Sequence, residues 1–249
     1  MLKDDYGNFS LYEDGLTILR IPELFPKILL VKNQFEKLVV NRFGSDGELN
    51  RILIKRFVDS PVVAKIFSNN SLLSQLINES EIKQPVYCGP TVSHYTDTGE
   101  TGKSYGLPMH IDFPSMASST KSVICWFALS DCTNETHGLE FIPCLHKNGV
   151  LEGEQMPNGY VLDSKYQNSE KRKILNIKFG DIVLFTSFTP HATHVNKSFD
   201  KSKMSISKRF DCFLDQEWIN ARLPNAYGTS VDRALGKKRS KVINSIFNK

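Results

Sequence analysis

Short apolar segments separated by turn residues dominate the second half of this chain. They are rich in β-branched and aromatic residues, and the five clearest cover 122–129, 138–143, 173–179, 181–187 and 204–214. Such runs predict β-strands, and several at this spacing favour a barrel or a sandwich. Gly180 and Asp181 separate the third and fourth segments, which predicts a tight hairpin turn between them.

The pattern in the first third of the chain is helical. Apolar residues recur at helical spacing over 21–43 and again over 60–77. Ser60 followed by Pro61 predicts a helix start, because proline suits the first turn. A short strand is expected before the helices, at 16–19. The chain is therefore predicted to be mainly β with a helical flank, an α+β class.

We predict a single domain over residues 1–249, a length that fits one large core. Residues 1–82 would form a helical support and 85–214 the β core. The segment 144–172 is polar and turn-rich, which predicts an insertion over one end of the core, where long loops often cover an active site. Residues 215–249 would form a C-terminal helical tail.

Composition and charge limit the location and the partners. With 40% hydrophobic and 23% charged residues, the chain is not a disordered segment, a fibrous repeat or a coiled coil. It has no apolar run of about 18 residues, no signal-like start and no CxxC pair among its five cysteines, so a reduced, cytoplasmic location without membrane contact is expected.

The net charge of +4 is too small to imply binding to nucleic acid. The clearest basic cluster is interpreted as part of a solvated tail. It consists of Lys237, Lys238, Arg239 and Lys241.

A histidine and an aspartate two residues apart precede the strong segment at 122–129. They are His110 and Asp112, and residues i and i+2 of a strand share one face. His191 follows a strand that ends in LFTSFTP. Two imidazoles and one carboxylate form a facial triad that leaves three metal positions open. Such a centre suits Fe(II), a chelating cosubstrate and O2.

These residues belong to a longer pattern: LPMHID, then SVICWFALSDCTNETHGLEFIPCLHKNG, then FGDIVLFTSFTPHATHVNKS, then KMSISKRF. Over residues 85–214 the pattern resembles the phytanoyl-CoA dioxygenase family of Fe(II)/2-oxoglutarate-dependent oxygenases. The resemblance implies a double-stranded β-helix core, the jelly-roll of cupin-like proteins, with the metal near one open end. The implied metal ligands, which are also the catalytic residues, are His110, Asp112 and His191.

The distal histidine has two candidates. His191 is preferred because it directly follows the Thr-Pro strand end and is followed five residues later by Asn196, as the family pattern has it. His194 is the alternative ligand. If His191 binds the metal, His194 and Asn196 are candidates for contacts with the substrate.

The resemblance also implies a basic residue, usually arginine, that binds the distal carboxylate of 2-oxoglutarate. Lys203 stands at that position with Ser205 beside it, and lysine lacks the bidentate fork of arginine. Arg209 shares the same strand face but lies about 20 Å further on, so the two cannot bind one carboxylate. Lys203 is the preferred residue for binding the distal carboxylate, and Arg209 is the alternative. Tyr95 and Trp126 are further candidates for lining this pocket. The alternative for both residues is packing in the core.

The expected function is hydroxylation of a small polar metabolite, a sugar or amino-acid derivative, with release of succinate and CO2. The basic residues of the 144–172 segment are candidates for an anionic substrate group, and they are Lys147, Lys165, Lys171 and Arg172. The alternative is a cupin-like metal-dependent isomerase or sugar-binding protein without redox chemistry. Lysine instead of arginine at position 203 keeps that alternative open. The oligomeric state is not predicted.

Overall fold

The computed structural model describes residues 9–39, 47–96, 106–116, 118–156 and 159–220. The basic cluster at 237–241 and most of the predicted C-terminal tail lie outside these residues. Within them, no helix is both long and apolar enough to cross a membrane.

The helices of the described chain gather mainly before residue 80. They are α1 (Phe25–Leu38), α2 (Gly47–Val58), α3 (Pro61–Phe67), α4 (Asn70–Glu79), α5 (Phe113–Met116), α6 (Ser164–Gln167) and α7 (Gln216–Asn220). Ser60 is the N-cap of α3, as the Ser-Pro pair predicts. The Asn69 side chain caps α4 by accepting hydrogen bonds from the backbone N–H groups of Ser71 and Leu72.

The described strands form two antiparallel sheets that do not close into a barrel. The first sheet has the order β1 (Leu16–Arg20), β10 (Asp181–Thr186), β5 (Val123–Ala128), β12 (Lys203–Cys212) and β2 (Pro85–Tyr87), and β3 (Val92–Thr96) also pairs with β12. The second sheet has the order β7 (Gly153–Met156), β8 (Gly159–Leu162), β4 (His110–Ile111), β11 (His191–His194), β6 (Gly138–Phe141) and β9 (Lys173–Ile174). The predicted mainly β class with a helical flank is confirmed.

Alternation along the strands of the first sheet divides the core into layers. Cys125 and Phe127 of β5 pack with the helices, whereas Ile124 and Trp126 pack toward the second sheet. On β12 the positions on the helix side are apolar at Met204, Ile206 and Phe210, and Lys208 is the polar exception. The opposite face of β12 carries polar residues and faces the space between the sheets, where the candidate site lies.

The predicted hairpin at Gly180 is wrong. Only Lys173–Ile174 of the 173–179 segment is a strand, and it pairs with β6 in the second sheet. The next strand, β10, lies in the first sheet between β1 and β5. Gly180 therefore joins the two sheets. Its φ of +97° is in the region that favours glycine, and a Cβ there would lie 2.7 Å from the Phe25 ring.

The segment 144–172 extends the second sheet. It contains β7, β8 and α6, and β8 pairs with β4 so that Val161 lies opposite His110. Buried apolar residues on both sides of this junction, among them Ile111 and Leu162, form a separate small core. The segment thus borders the histidine of the His-Ile-Asp motif.

Candidate active site

The three predicted metal ligands come together between the sheets. His110 begins β4, Asp112 directly follows that strand, and His191 begins β11 opposite His110. One ligand atom from each of the three lies within 4.8 Å of the others. The side chains are buried, with 5–7% of each residue exposed. This donor set has the composition of a facial triad.

Backbone carbonyls orient both imidazoles. Nδ1–H of His110 donates to the Pro108 carbonyl at 2.8 Å, and Nδ1–H of His191 donates to the Thr189 carbonyl at 2.9 Å. Each ring therefore keeps the lone pair of Nε2 for a metal. Burial lowers the pKa of both histidines, that of His191 to about 3, so both rings are neutral as metal ligands must be.

Asp112 is held by its backbone and by one of its carboxylate oxygens. Its N–H donates to the Ser187 carbonyl at 3.0 Å. Oδ1 lies 3.7 Å from Nε2 of His110, and Oδ2 accepts a hydrogen bond from Nη2 of Arg209 at 3.0 Å. Burial alone would raise the pKa of Asp112, but the charge of the Arg209 guanidinium and its hydrogen bond to Oδ2 outweigh burial and lower the pKa. The carboxylate is therefore ionised.

A cavity opens beside the histidines, between β3 and β12 of the first sheet and β6 and β11 of the second. Its polar wall comes from alternate residues of β3 and β12: His94, Thr96, Lys203, Ser205, Ser207 and Arg209. Trp126 and Phe185 contribute apolar surface. The predicted pocket residues on β12 thus share one wall, and Trp126 joins them.

Lys203 is buried in this wall and contacts the loop before β6. Its Nζ donates to the carbonyls of Asp131 and His137 and, at 3.0 Å, to the hydroxyl of Thr136. Burial lowers the pKa of Lys203. The ammonium group therefore has a defined position at one end of the cavity.

Arg209 lies at the other end, next to Asp112. Its Nη1 donates to the Ser207 hydroxyl at 2.9 Å, and that hydroxyl lies 3.0 Å from Nε2 of His94 on β3. Burial, and then the Arg209 charge, lower the pKa of His94 to about 3. A polar chain therefore runs from His94 through Ser207 and Arg209 to the carboxylate.

His94 is a cavity residue that was not among the residues predicted for the site. The alternation of side chains along β3 is the sequence feature that could have indicated it. His94 lies opposite Ser205, a cavity residue of β12, whereas Tyr95 lies opposite Met204, which packs with the helices. The structure does not bring Tyr95 to the cavity, since its ring packs with the apolar cluster between the first sheet and the helices. Alternation shows that only one of His94 and Tyr95 can face the cavity, and the pairing of β3 with β12 shows that it is His94.

His194 and Asn196 lie outside the cavity wall. Nε2 of His194 and Nδ2 of Asn196 contact the carbonyl of Asn134 at 3.1 Å and 3.0 Å. The backbone N–H of Asn196 donates to Nδ1 of His137 at 3.2 Å. The two residues thus hold the loop whose carbonyls contact Lys203.

Three of the basic residues of the 144–172 segment form ion pairs. The pairs are Lys147 with Glu13, Lys165 with Glu152, and Arg172 with Glu140. Their charges are thereby compensated within the protein.

The sequence match to a family model extends well beyond the site. The phytanoyl-CoA dioxygenase (PhyH) model matches residues 36–205, more than half of the chain. The protein belongs to the phytanoyl-CoA dioxygenase family. The predicted family assignment is thus confirmed, and this family comprises Fe(II)/2-oxoglutarate-dependent oxygenases. A comparison with curated protein sequences finds no match.

Solved structures share the fold at low sequence identity. The apo non-heme monooxygenase ThoJ is 13% identical with a TM-score of 0.62, covering 96% of this chain and 98% of its own. EctD from S. alaskensis, with 2-oxoglutarate and 5-hydroxyectoine, is 13% identical with a TM-score of 0.61, covering 84% and 76%.

The epimerase SnoN, in complex with Fe3+, alpha ketoglutarate and nogalamycin RO, is 16% identical with a TM-score of 0.53, covering 82% and 81%. These likenesses, together with the family match, confirm the predicted jelly-roll core of the phytanoyl-CoA dioxygenase family.

Proposed function

We propose that this member of the phytanoyl-CoA dioxygenase family is an Fe(II)- and 2-oxoglutarate-dependent oxygenase that hydroxylates a small-molecule substrate. The observation that carries the proposal is the buried cluster of two neutral imidazoles and one ionised carboxylate beside a cavity with a buried lysine. Nitrogen and oxygen donors of this kind, three in number, suit Fe(II) with open positions.

The residues present fit the metal. His110 and His191 present Nε2 because their Nδ1–H groups are bonded to carbonyls, and Asp112 presents Oδ1 because Oδ2 is bonded to Arg209. When bound, Fe(II) and 2-oxoglutarate would supply a reaction with O2 that places one oxygen atom in succinate and the other in a C–H bond of the substrate, with loss of CO2.

We assign the distal carboxylate of 2-oxoglutarate to Lys203. Its ammonium group faces three oxygen atoms of the protein, so it would exchange one of these contacts for the carboxylate. The hydroxyl of Ser205 lies on the same wall and can donate a second hydrogen bond. A charge-assisted bond in a buried pocket is stronger than the same bond in water.

The substrate class proposed is a small polar metabolite. The EctD structure contains 5-hydroxyectoine, a hydroxylated small molecule, which supports this class. SnoN is described as an epimerase, so product analysis must separate two outcomes. Hydroxylation adds one oxygen atom to the substrate, whereas epimerisation leaves its mass unchanged.

A cupin-like metal protein without redox chemistry is the second candidate. The three protein oxygens around Lys203 favour it, because the ammonium group is already satisfied without a cosubstrate. Such a protein would bind a divalent metal at the same three residues and would form no 2-oxoglutarate chelate.

Anaerobic addition of Fe(II) and 2-oxoglutarate tests the proposal. We expect a weak visible charge-transfer band in the unmodified protein and no band in the Asp112→Ala variant, which loses a ligand. His194→Ala is the matched control, since His194 contacts Asn134 outside the cavity wall, and it should keep Fe(II) affinity and the band. Bound metal without a band would contradict the oxygenase proposal and favour the second candidate.

A further inference from the structure

The two oxygens of Asp112 have different neighbours. Oδ1 lies 3.7 Å from Nε2 of His110, on the side of the imidazoles. Oδ2 is bonded to Nη2 of Arg209 at 3.0 Å, and both side chains of this ion pair are about 95% buried. The carboxylate therefore offers one oxygen to a metal and the other to the guanidinium.

This division matters for the number of open coordination positions. A carboxylate can bind one metal ion through one oxygen or through both. Two histidines and a carboxylate that binds through one oxygen leave three of six coordination positions open. If the carboxylate binds through both oxygens, only two positions stay open. A chelating cosubstrate and O2 together need three.

The guanidinium is itself held in place. Nη1 donates to the Ser207 hydroxyl, which contacts His94 on the neighbouring strand. Arg209 and Ser207 belong to β12, which pairs with β5 on one side and with β3 at Ser207. The side chain that contacts Oδ2 thus stands on a strand in the interior of the first sheet.

We propose that Arg209 is a positioning residue that restricts Asp112 to one-oxygen coordination and so keeps a position open for the cosubstrate chelate. This inference rests on the proposed function. It gives Arg209 a role distinct from that of Lys203. Arg209 acts through Asp112, and Lys203 acts on the distal carboxylate.

Two 2-oxo acids distinguish these roles. 2-Oxoglutarate has a distal carboxylate, whereas 2-oxobutyrate has the same chelating end without one. Anaerobic titration of the Fe(II) protein with each acid, followed by the visible band, gives two dissociation constants for each variant. The variants are Arg209→Met, Lys203→Met and Lys208→Met. Lys208 lies on the same strand, contacts the carbonyl of Gly89, and serves as the matched control.

We expect Arg209→Met to weaken both chelates by the same factor, about tenfold, as is usual when a group that orients a metal ligand is removed. Lys203→Met should weaken binding of 2-oxoglutarate only, and Lys208→Met should change neither. Arg209→Lys, which can still donate to Oδ2, should recover part of the loss for both acids. An Arg209→Met variant that weakens only 2-oxoglutarate, or neither acid, overturns the proposal.

Metal content and apo-protein circular dichroism accompany each titration. If Arg209→Met does not fold, Ser207→Ala replaces it, because it removes one anchor of the guanidinium and should weaken both chelates together by a smaller factor. Equal binding of both acids to Ser207→Ala and to unmodified protein would then overturn the inference. Absence of a band in the unmodified protein would instead contradict the proposed function.

Discussion

Lys203 and Lys208 show how strand alternation separates a site residue from a structural one. Both stand on β12, but Lys203 faces the cavity, while Lys208 contacts the Gly89 carbonyl and lies 4.8 Å from the centre of the Tyr87 ring. Replacement of Lys203 by Met should remove a charge-assisted bond of about 2 kcal/mol and raise the KM for 2-oxoglutarate at least tenfold.

The measurement is succinate release at saturating Fe(II), with kcat and KM separated. Lys208→Met should leave both constants near those of the unmodified protein. Equal KM values for the Lys203 and Lys208 variants would refute the assignment of the distal carboxylate.

The site could be predicted from sequence where local spacing and the family pattern place the residues. The i, i+2 spacing of His110 and Asp112 needs only one short strand, and the resemblance to the family favoured His191 over His194. The contact of Arg209 with Asp112 joins the first sheet to the residue after β4, so no local pattern shows it. Likewise, the choice between His94 and Tyr95 depends on the pairing of β3 with β12.

Among whole elements, four of the five apolar segments predicted strands correctly because buried strands require apolar runs, whereas the short strands β2, β3, β4, β7, β8 and β11 lie outside those segments. The 173–179 segment is the exception. Its apolar residues Leu175 and Ile177 are buried between the sheets, yet only Lys173–Ile174 forms a strand of the second sheet. An apolar pattern predicts that a segment is buried. It does not predict which strand the segment pairs with, because that depends on contacts with residues distant in sequence.

Gly180 lies in the connection between β9 and β10, and its backbone conformation leads to a prediction about stability. With φ at +97°, Gly180→Ala should lower the free energy of unfolding by about 1–3 kcal/mol because alanine is strained there. A Cβ would also lie 2.7 Å from Cδ2 of Phe25, whose ring is half-exposed and can move.

Urea denaturation measures this loss, and a Phe25→Ala background separates its two causes. If the backbone carries most of the strain, the loss persists in that background. A loss that disappears with Phe25 would show that the ring contact, and not φ, is the cause. Gly180→Asn should cost less than Gly180→Ala, because asparagine tolerates positive φ.

At the scale of the whole molecule, the site ties the two sheets together. His110 and His191 belong to the second sheet, whereas the Arg209 that holds Asp112 belongs to the first. Beyond Arg209, Asp211 accepts hydrogen bonds from the backbone and hydroxyl of Ser119, so the end of β12 also fixes the loop after α5. The ligand geometry is therefore a property of the folded assembly of both sheets.

A metal bound at this junction should stabilise the complete fold. A ligand that binds only the native state at 100 times its Kd adds about 2.7 kcal/mol to the free energy of unfolding. For a chain of this length that corresponds to a rise in Tm of about 5–10 °C. Thermal denaturation with Mn(II), which is stable in air, and then with a chelator measures the shift.

The Asp112→Ala variant should show no metal-dependent shift, because it lacks one of three ligands. The His194→Ala variant should keep the full shift, since His194 contacts the loop at Asn134 and no member of the triad. A shift lost in His194→Ala and kept in Asp112→Ala would mean that the metal is held by other residues, and the assignment of the triad would then be wrong.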